Sequence, residues 1–215
     1  MIKIKDRQFV RKVSIDKRDK KHRIKKGISS RKTRYWSDLK MFLDQEDTPH
    51  CVGFMGAHWL VNYPVAQYIN PTALYQIAQF YDEYRGEMYE GSTVRGMANA
   101  FYKMEIISEY QWTWDVDTLV YAVLEIGPVM VGTNWYEGMS DLNSKGVMSV
   151  TGKLQGGHAW LINGVNVKTG LFRGKNSWGK SWGVGGRMWI HKDDMARLLK
   201  EDGECCIGKE YSMKL

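Results

Sequence analysis

Cysteine is scarce in this chain of 215 residues, standing at positions 51, 205 and 206 only. Adjacent cysteines rarely bridge each other without strain. Cys205 and Cys206 therefore do not read as a disulfide, and the even, spread set of a small secreted domain is missing. The pattern suits a reducing compartment and leaves Cys51 a free thiol. Long apolar runs are missing too. No window approaches a membrane-spanning helix, and the charged start Met1-Ile2-Lys3-Ile4-Lys5 is not a signal peptide. A soluble chain, cytoplasmic or virion-associated, is the expectation. Histidine and cysteine do not fall at ligand spacings, so neither a metal nor another cofactor is expected.

Acidic and aromatic residues are rare in the first 34 positions. That segment holds fifteen Lys or Arg against three Asp, a net of +12, so with +7 overall the rest of the chain carries −5. Residues 1–34 read as a basic arm, disordered alone or bound to a partner: nucleic acid, an acidic protein surface or an assembly. Base stacking is disfavoured, because only Phe9 precedes Tyr35 and Trp36. The alternation from Gln8 to Ile15 suits one strand, such as one paired with another chain.

From about residue 35 the composition is that of a folded domain, helical to about 127 and β-rich over about 128–215. Pro49-His50 precedes an amphipathic helix starting near Cys51. Asn70-Pro71 caps a second. Ser92 or Thr93 caps a third, through Met104, and Asp117 a fourth, running to Ile126 before Gly127-Pro128. Strands follow at 129–135, 146–150, 158–165, 170–175, 186–190 and 205–211, with a helix over 193–200. Helices first and strands second give an α+β chain of two lobes with a cleft between them.

Four residue types suited to one chemistry occur in order: Gln45, Cys51, His158 and Asn176. A thiol at a helix start meets unpaired N–H groups and the positive end of the helix dipole, which favour the thiolate. An imidazole can take its proton, an Asn carbonyl can orient the ring, and a Gln amide can donate to an oxyanion. Gly156 and Gly157 clear space before His158 for an approaching backbone. Trp178 can shield the His–Asn hydrogen bond from water. His50 is a candidate cleft residue; His22, His58 and His191 are placed less well.

Gln-x5-Cys at a helix start, Gly156-Gly157-His158-Ala159, and Asn176-Ser177-Trp178-Gly179 followed by Trp182-Gly183 together resemble the papain-like cysteine proteases over about residues 35–210. The resemblance implies a papain-like two-lobe fold, a helical lobe against an antiparallel β-barrel-like lobe. It implies endopeptidase activity through an acyl-enzyme. It also implies Cys51 as nucleophile, His158 as base and then acid, Asn176 as orienter and Gln45 in the oxyanion hole. Pro49-His50 and Val52 replace the family's usual Gly-Ser and Trp around the nucleophile. Its structural disulfides are missing, and about 35 basic residues are too few for its long inhibitory propeptide. These departures point to a compact intracellular or virus-like branch. Two other readings stay open: a structural or assembly protein, such as a virion component, on the same scaffold, and a thiol amidase acting on cell-wall peptides.

Overall fold

The computed structural model describes residues 7–14 and 16–210. After a short 3₁₀ segment (Lys17–His22), the elements are β1 (Thr33–Tyr35), α1 (Cys51–Leu60), α2 (Pro71–Tyr81), α3 (Val94–Lys103), β2 (Ile107–Thr113), α4 (Val116–Glu125), β3 (Val129–Tyr136), α5 (Glu137–Ser140), β4 (Leu154–Asn166), β5 (Leu171–Lys175), β6 (Arg187–His191), α6 (Lys192–Lys200) and β7 (Glu204–Glu210). The strands form one antiparallel sheet in the order β2-β7-β3-β4-β5-β6, with β1 on β4.

That sheet separates two cores. Successive side chains on a strand face opposite ways, and the central strands use both faces. Met130, Ala159, Leu161 and Cys206 pack with α1, α2 and α3. Val129, Val131, Trp160, Ile162 and Cys205 pack with α4 and α6. The adjacent cysteines of β7 thus serve as small apolar residues in different cores, and both are free thiols.

α1 differs from the amphipathic helix expected. All ten of its residues are buried, because it lies between α2 and α3 on one side and β4 and β3 on the other. Gly53 and Gly56 permit this: an added Cβ would come within 2.1 Å of the Pro71 carbonyl oxygen and 2.6 Å of Met97 Sδ. α2 and α3 start as their caps dictate. Asn70 Oδ1 accepts the N–H groups of Thr72 and Ala73 at 2.9 and 3.2 Å, and Thr93 Oγ1 that of Gly96 at 2.8 Å.

Several expectations need correction. The cap of α4 is Asp115, whose Oδ2 accepts Thr118 N–H at 2.8 Å; Asp117 instead pairs with Lys192 at 2.5 Å. Residues 107–113 form a strand that sequence reading missed, since Ile107 and Trp112 are buried at positions of opposite parity, on either side of a register shift. Residues 146–150 form no strand, only a bridge from Val147 to Trp189. β7 ends at Glu210, and Tyr211 lies outside the described residues. No helix among the described residues is long and apolar enough to cross a membrane.

Candidate active site

Cys51 opens α1 and is fully buried. His50 makes no side-chain cap there, so its side chain leaves the first N–H groups of the helix unclaimed. The sulfur faces backbone N–H groups, chiefly that of Ala159 on β4. Burial outweighs these donors and the nearby Arg11, and pushes the thiol up to about 11.

His158 precedes Ala159 on β4 and is likewise fully buried. Its Nε2 lies 2.8 Å from Asn176 Oδ1. The same oxygen accepts the Ser177 N–H at 2.8 Å, which fixes the orientation of the amide. A carboxamide oxygen only accepts, so His158 Nε2 carries a proton. The neutral ring then presents a lone pair at Nδ1, which is buried without a hydrogen-bond partner among the described residues. Trp178 covers the ring from a centroid distance of 5.6 Å and Trp135 from 4.8 Å. Burial drives the imidazole pKa down to about 4. Asn176 opposes this, while Arg11 and Arg7 add to it. With both groups enclosed, thiol and imidazole rest in their neutral forms.

Gln45 is held firmly. Its Oε1 accepts Ser177 Oγ–H at 2.5 Å, its Nε2 donates to the Thr48 carbonyl at 2.9 Å, and its backbone N–H donates to the Ser177 carbonyl at 2.9 Å. The Asn176-Ser177-Trp178 stretch therefore orients both His158 and Gln45. His50 packs on Tyr75, ring centroids 4.1 Å apart. His58 is buried, and its Nε2 accepts the Leu43 N–H at 3.3 Å.

Sequence reading missed what covers these groups. The arm lies along its own chain, between α3's approach at Gly91-Ser92 and β4 at Gly156-Gly157. Arg11 N–H donates to the Gly157 carbonyl and Lys12 N–H to the Ser92 carbonyl, each at 2.9 Å. Val10 makes a single parallel bridge to Gly157 instead of the strand expected over Gln8–Ile15. Ile15 lies outside the described residues. Added Cβ atoms at Gly91, Gly156 and Gly157 would come within 1.9, 2.4 and 2.4 Å of the carbonyl oxygens of Val10, Phe9 and Arg11. The three glycines thus form the walls that admit a polypeptide backbone.

Phe9 stands edge-on to His158 and Trp178 at 5.6 and 6.0 Å and stacks on Trp135 at 6.1 Å. Arg7 Nη1 reaches Asp44 Oδ1 and the Glu46 carbonyl at 2.5 and 2.6 Å. Beyond the cleft, Ser14 Oγ donates to Glu83 Oε1 at 2.5 Å, and Asp19 forms a buried ion pair with Arg95. The arm, too short for a long propeptide, nonetheless lies along the glycines that precede His158 and α3. A blocking segment needs no domain of its own when glycine walls and a few side-chain anchors hold it.

Comparison with known proteins agrees with this geometry. The fold is shared with xylellain, a cysteine protease from Xylella fastidiosa (TM-score 0.72, 15% identity, 95% of this chain and 96% of that one). It is also shared with digestive procathepsin L 3 of the Tenebrio molitor larval midgut (TM-score 0.61, 15% identity, 85% and 71%). A third is procathepsin B S9 from Trypanosoma congolense (TM-score 0.62, 11% identity, 94% and 83%). No curated protein sequence matches the chain. The sequence model for papain family cysteine proteases matches residues 66–215, a span that includes His158 and Asn176 and begins after Cys51. With more than half its length matched and the whole fold shared, the chain belongs to the papain family of cysteine proteases and is a papain-like cysteine peptidase, a hydrolase.

Proposed function

We propose that the chain is an endopeptidase working through Cys51, His158, Asn176 and Gln45, and that residues 7–14 of its own arm hold it at rest. The observation that carries the reading is the His158 ring itself. Its Nε2 is fixed on Asn176 at 2.8 Å, and its Nδ1, without a hydrogen-bond partner among the described residues, is left for the thiol that meets the next residue of the same strand. Once the arm leaves, water and substrate enter, and the burial that keeps both groups neutral is relieved. His158 Nδ1 then takes the Cys51 proton. The sulfur attacks the carbonyl carbon of a peptide bond, and the oxyanion is met by the Cys51 N–H and the remaining amide hydrogen of Gln45. His158 returns its proton to the departing amine, leaving a thioester. Water, deprotonated by His158, then hydrolyses the thioester to the acid and the free thiol.

Digestion of denatured casein by the Arg11→Ala chain tests this reading. Internal cleavages blocked by an epoxide thiol inhibitor are expected. Gln45→Ala should slow them by about 10²–10³-fold, or about 3 kcal/mol of lost oxyanion stabilisation. Intact casein, or peptidoglycan cleared in its place, would contradict it.

A further inference from the structure

The stretch between the arm's cleft segment and β1 carries a side chain that no packing explains. Ile28 is fully exposed. It stands in a run, residues 25–34, that holds Lys25, Lys26, Arg31, Lys32 and Arg34 and no acidic residue. A free chain end would account for such exposure, but this segment is pinned on both sides. Ile24 is buried, and its N–H donates to the Trp112 carbonyl at 3.0 Å. Thr33 of β1 pairs with Asn166 of β4, and the Lys32 carbonyl accepts the Val167 N–H at 2.9 Å. Between these anchors the loop lies on α4. A Cβ on Gly27 would fall 2.8 Å from Tyr121 Oη, Ser29 Oγ donates to Glu125 Oε1 at 2.5 Å, and Arg31 pairs with the same carboxylate. Ile28 therefore stands outward from a braced loop.

Its surroundings are cationic. Lys26 and Lys192 converge on Asp117, at 3.7 and 2.5 Å. Both border one open cavity with Gly27, Ser29, Lys32 and Val167. The loop, the start of α6 and the turn between β4 and β5 thus share a face. Val167 is exposed there, and Lys168 follows it. Lys25, Lys32 and Lys168 make no ion pair with any of the described residues. Exposed lysines alone suit any polyanion. An isoleucine held outward among them adds a second demand, an apolar layer beneath an anionic one, which is the order of groups at a bilayer interface. Nucleic acid fits less well. The nearest rings in sequence, Tyr35 and Trp36, already hold the guanidinium groups of Arg173 and Arg34 at 4.6 and 4.2 Å, where a base would stack.

We infer that this face docks on an anionic lipid surface, with its lysines among the headgroups and Ile28 inserted between them. The inference stands apart from the peptidase reading, since it uses no residue of the cleft. Sedimentation of the full chain with vesicles tests it. Vesicles of phosphatidylcholine with about 30% phosphatidylserine should bind the chain at least about tenfold more tightly than phosphatidylcholine alone. Raising the salt from about 0.1 M to about 0.5 M should remove most of that difference. Lys25→Ala/Lys32→Ala should weaken binding by about tenfold or more. Ile28→Ser, at a position that touches no core, should weaken it by about fivefold or more. An environment-sensitive dye at Ile28→Cys reads insertion directly, and it labels that site selectively because Cys51, Cys205 and Cys206 are buried. Its emission should shift to the blue on the serine-containing vesicles, and stay unshifted with heparin or soluble phosphoserine. Equal binding to both kinds of vesicle, or binding to neither, would overturn the inference. So would binding that needs the lysines but not Ile28, with an unshifted dye, for that result assigns the face to a soluble polyanion or an acidic protein.

Discussion

Loosening the arm should raise the alkylation rate of Cys51 at pH 7 by about 10²-fold. The expected variant is Phe9→Ala/Arg11→Ala in the full chain, which removes the ring packed on His158 and the cation held by Glu204. In the covered chain, burial sets the thiol at about 11, so roughly one molecule in 10⁴ carries a thiolate at neutral pH. An accessible thiol at a helix start beside an imidazole falls nearer 7, which multiplies the thiolate by about 10⁴. A weaker base is a poorer nucleophile, with a Brønsted slope of about 0.5. That returns about 10² of the gain and leaves a net of about 10². The pH dependence follows with its sign. Alkylation of the intact chain should climb steadily towards pH 11, whereas that of the variant should level off near neutrality. Iodoacetamide labelling followed by peptide mass mapping checks both. Equal rates in the two chains would show that the arm does not cover the thiol in solution.

Replacing the sulfur should have the larger effect on turnover. Cys51→Ala removes the atom that forms the acyl-enzyme, and losses of about 10⁴-fold or more follow the loss of a nucleophile. The fold should survive. The site is buried among Val52, Met55 and Ala159, and an alanine there leaves a small void costing about 1 kcal/mol. Fluorogenic peptide assays with a melting curve on the same sample separate lost chemistry from lost structure. Retained turnover by a folded Cys51→Ala chain would remove the thiol from the mechanism, whereas no turnover by the parent chain with its arm loosened would favour the scaffold reading.

Much of the site was legible because its residues carry local signals. Pro49-His50-Cys51 reads as a helix start, Gly156-Gly157 as backbone clearance and Asn176-Ser177-Trp178 as a motif. All of these depend on neighbours in sequence. The arm's place was not legible. Its composition predicts a solvated, extended segment, and only the distant glycines at 91, 156 and 157 and the acid at 204 show what holds it. Arg11 and Glu204 are 193 residues apart, and no periodicity in either segment connects them. Ser177 and Trp135 were missed as supports of Gln45 and His158 for the same reason. In the fold, capped helices were readable from Asn70 and Thr93. β2 was not, because Ile107 and Trp112 break a simple alternation and the strand exists through its pairing with β7.

One measurement tests most directly whether His158 ionises Cys51: the pH profile of Cys51 alkylation in the Phe9→Ala/Arg11→Ala chain, with and without His158→Gln. With the histidine, reaction should persist below neutrality and fall only as the imidazolium–thiolate pair gains a proton. With glutamine it should show a single rise at alkaline pH, at the ordinary titration of a thiol. Superimposable profiles would contradict the account, for they would show that the imidazole and the sulfur do not share a proton.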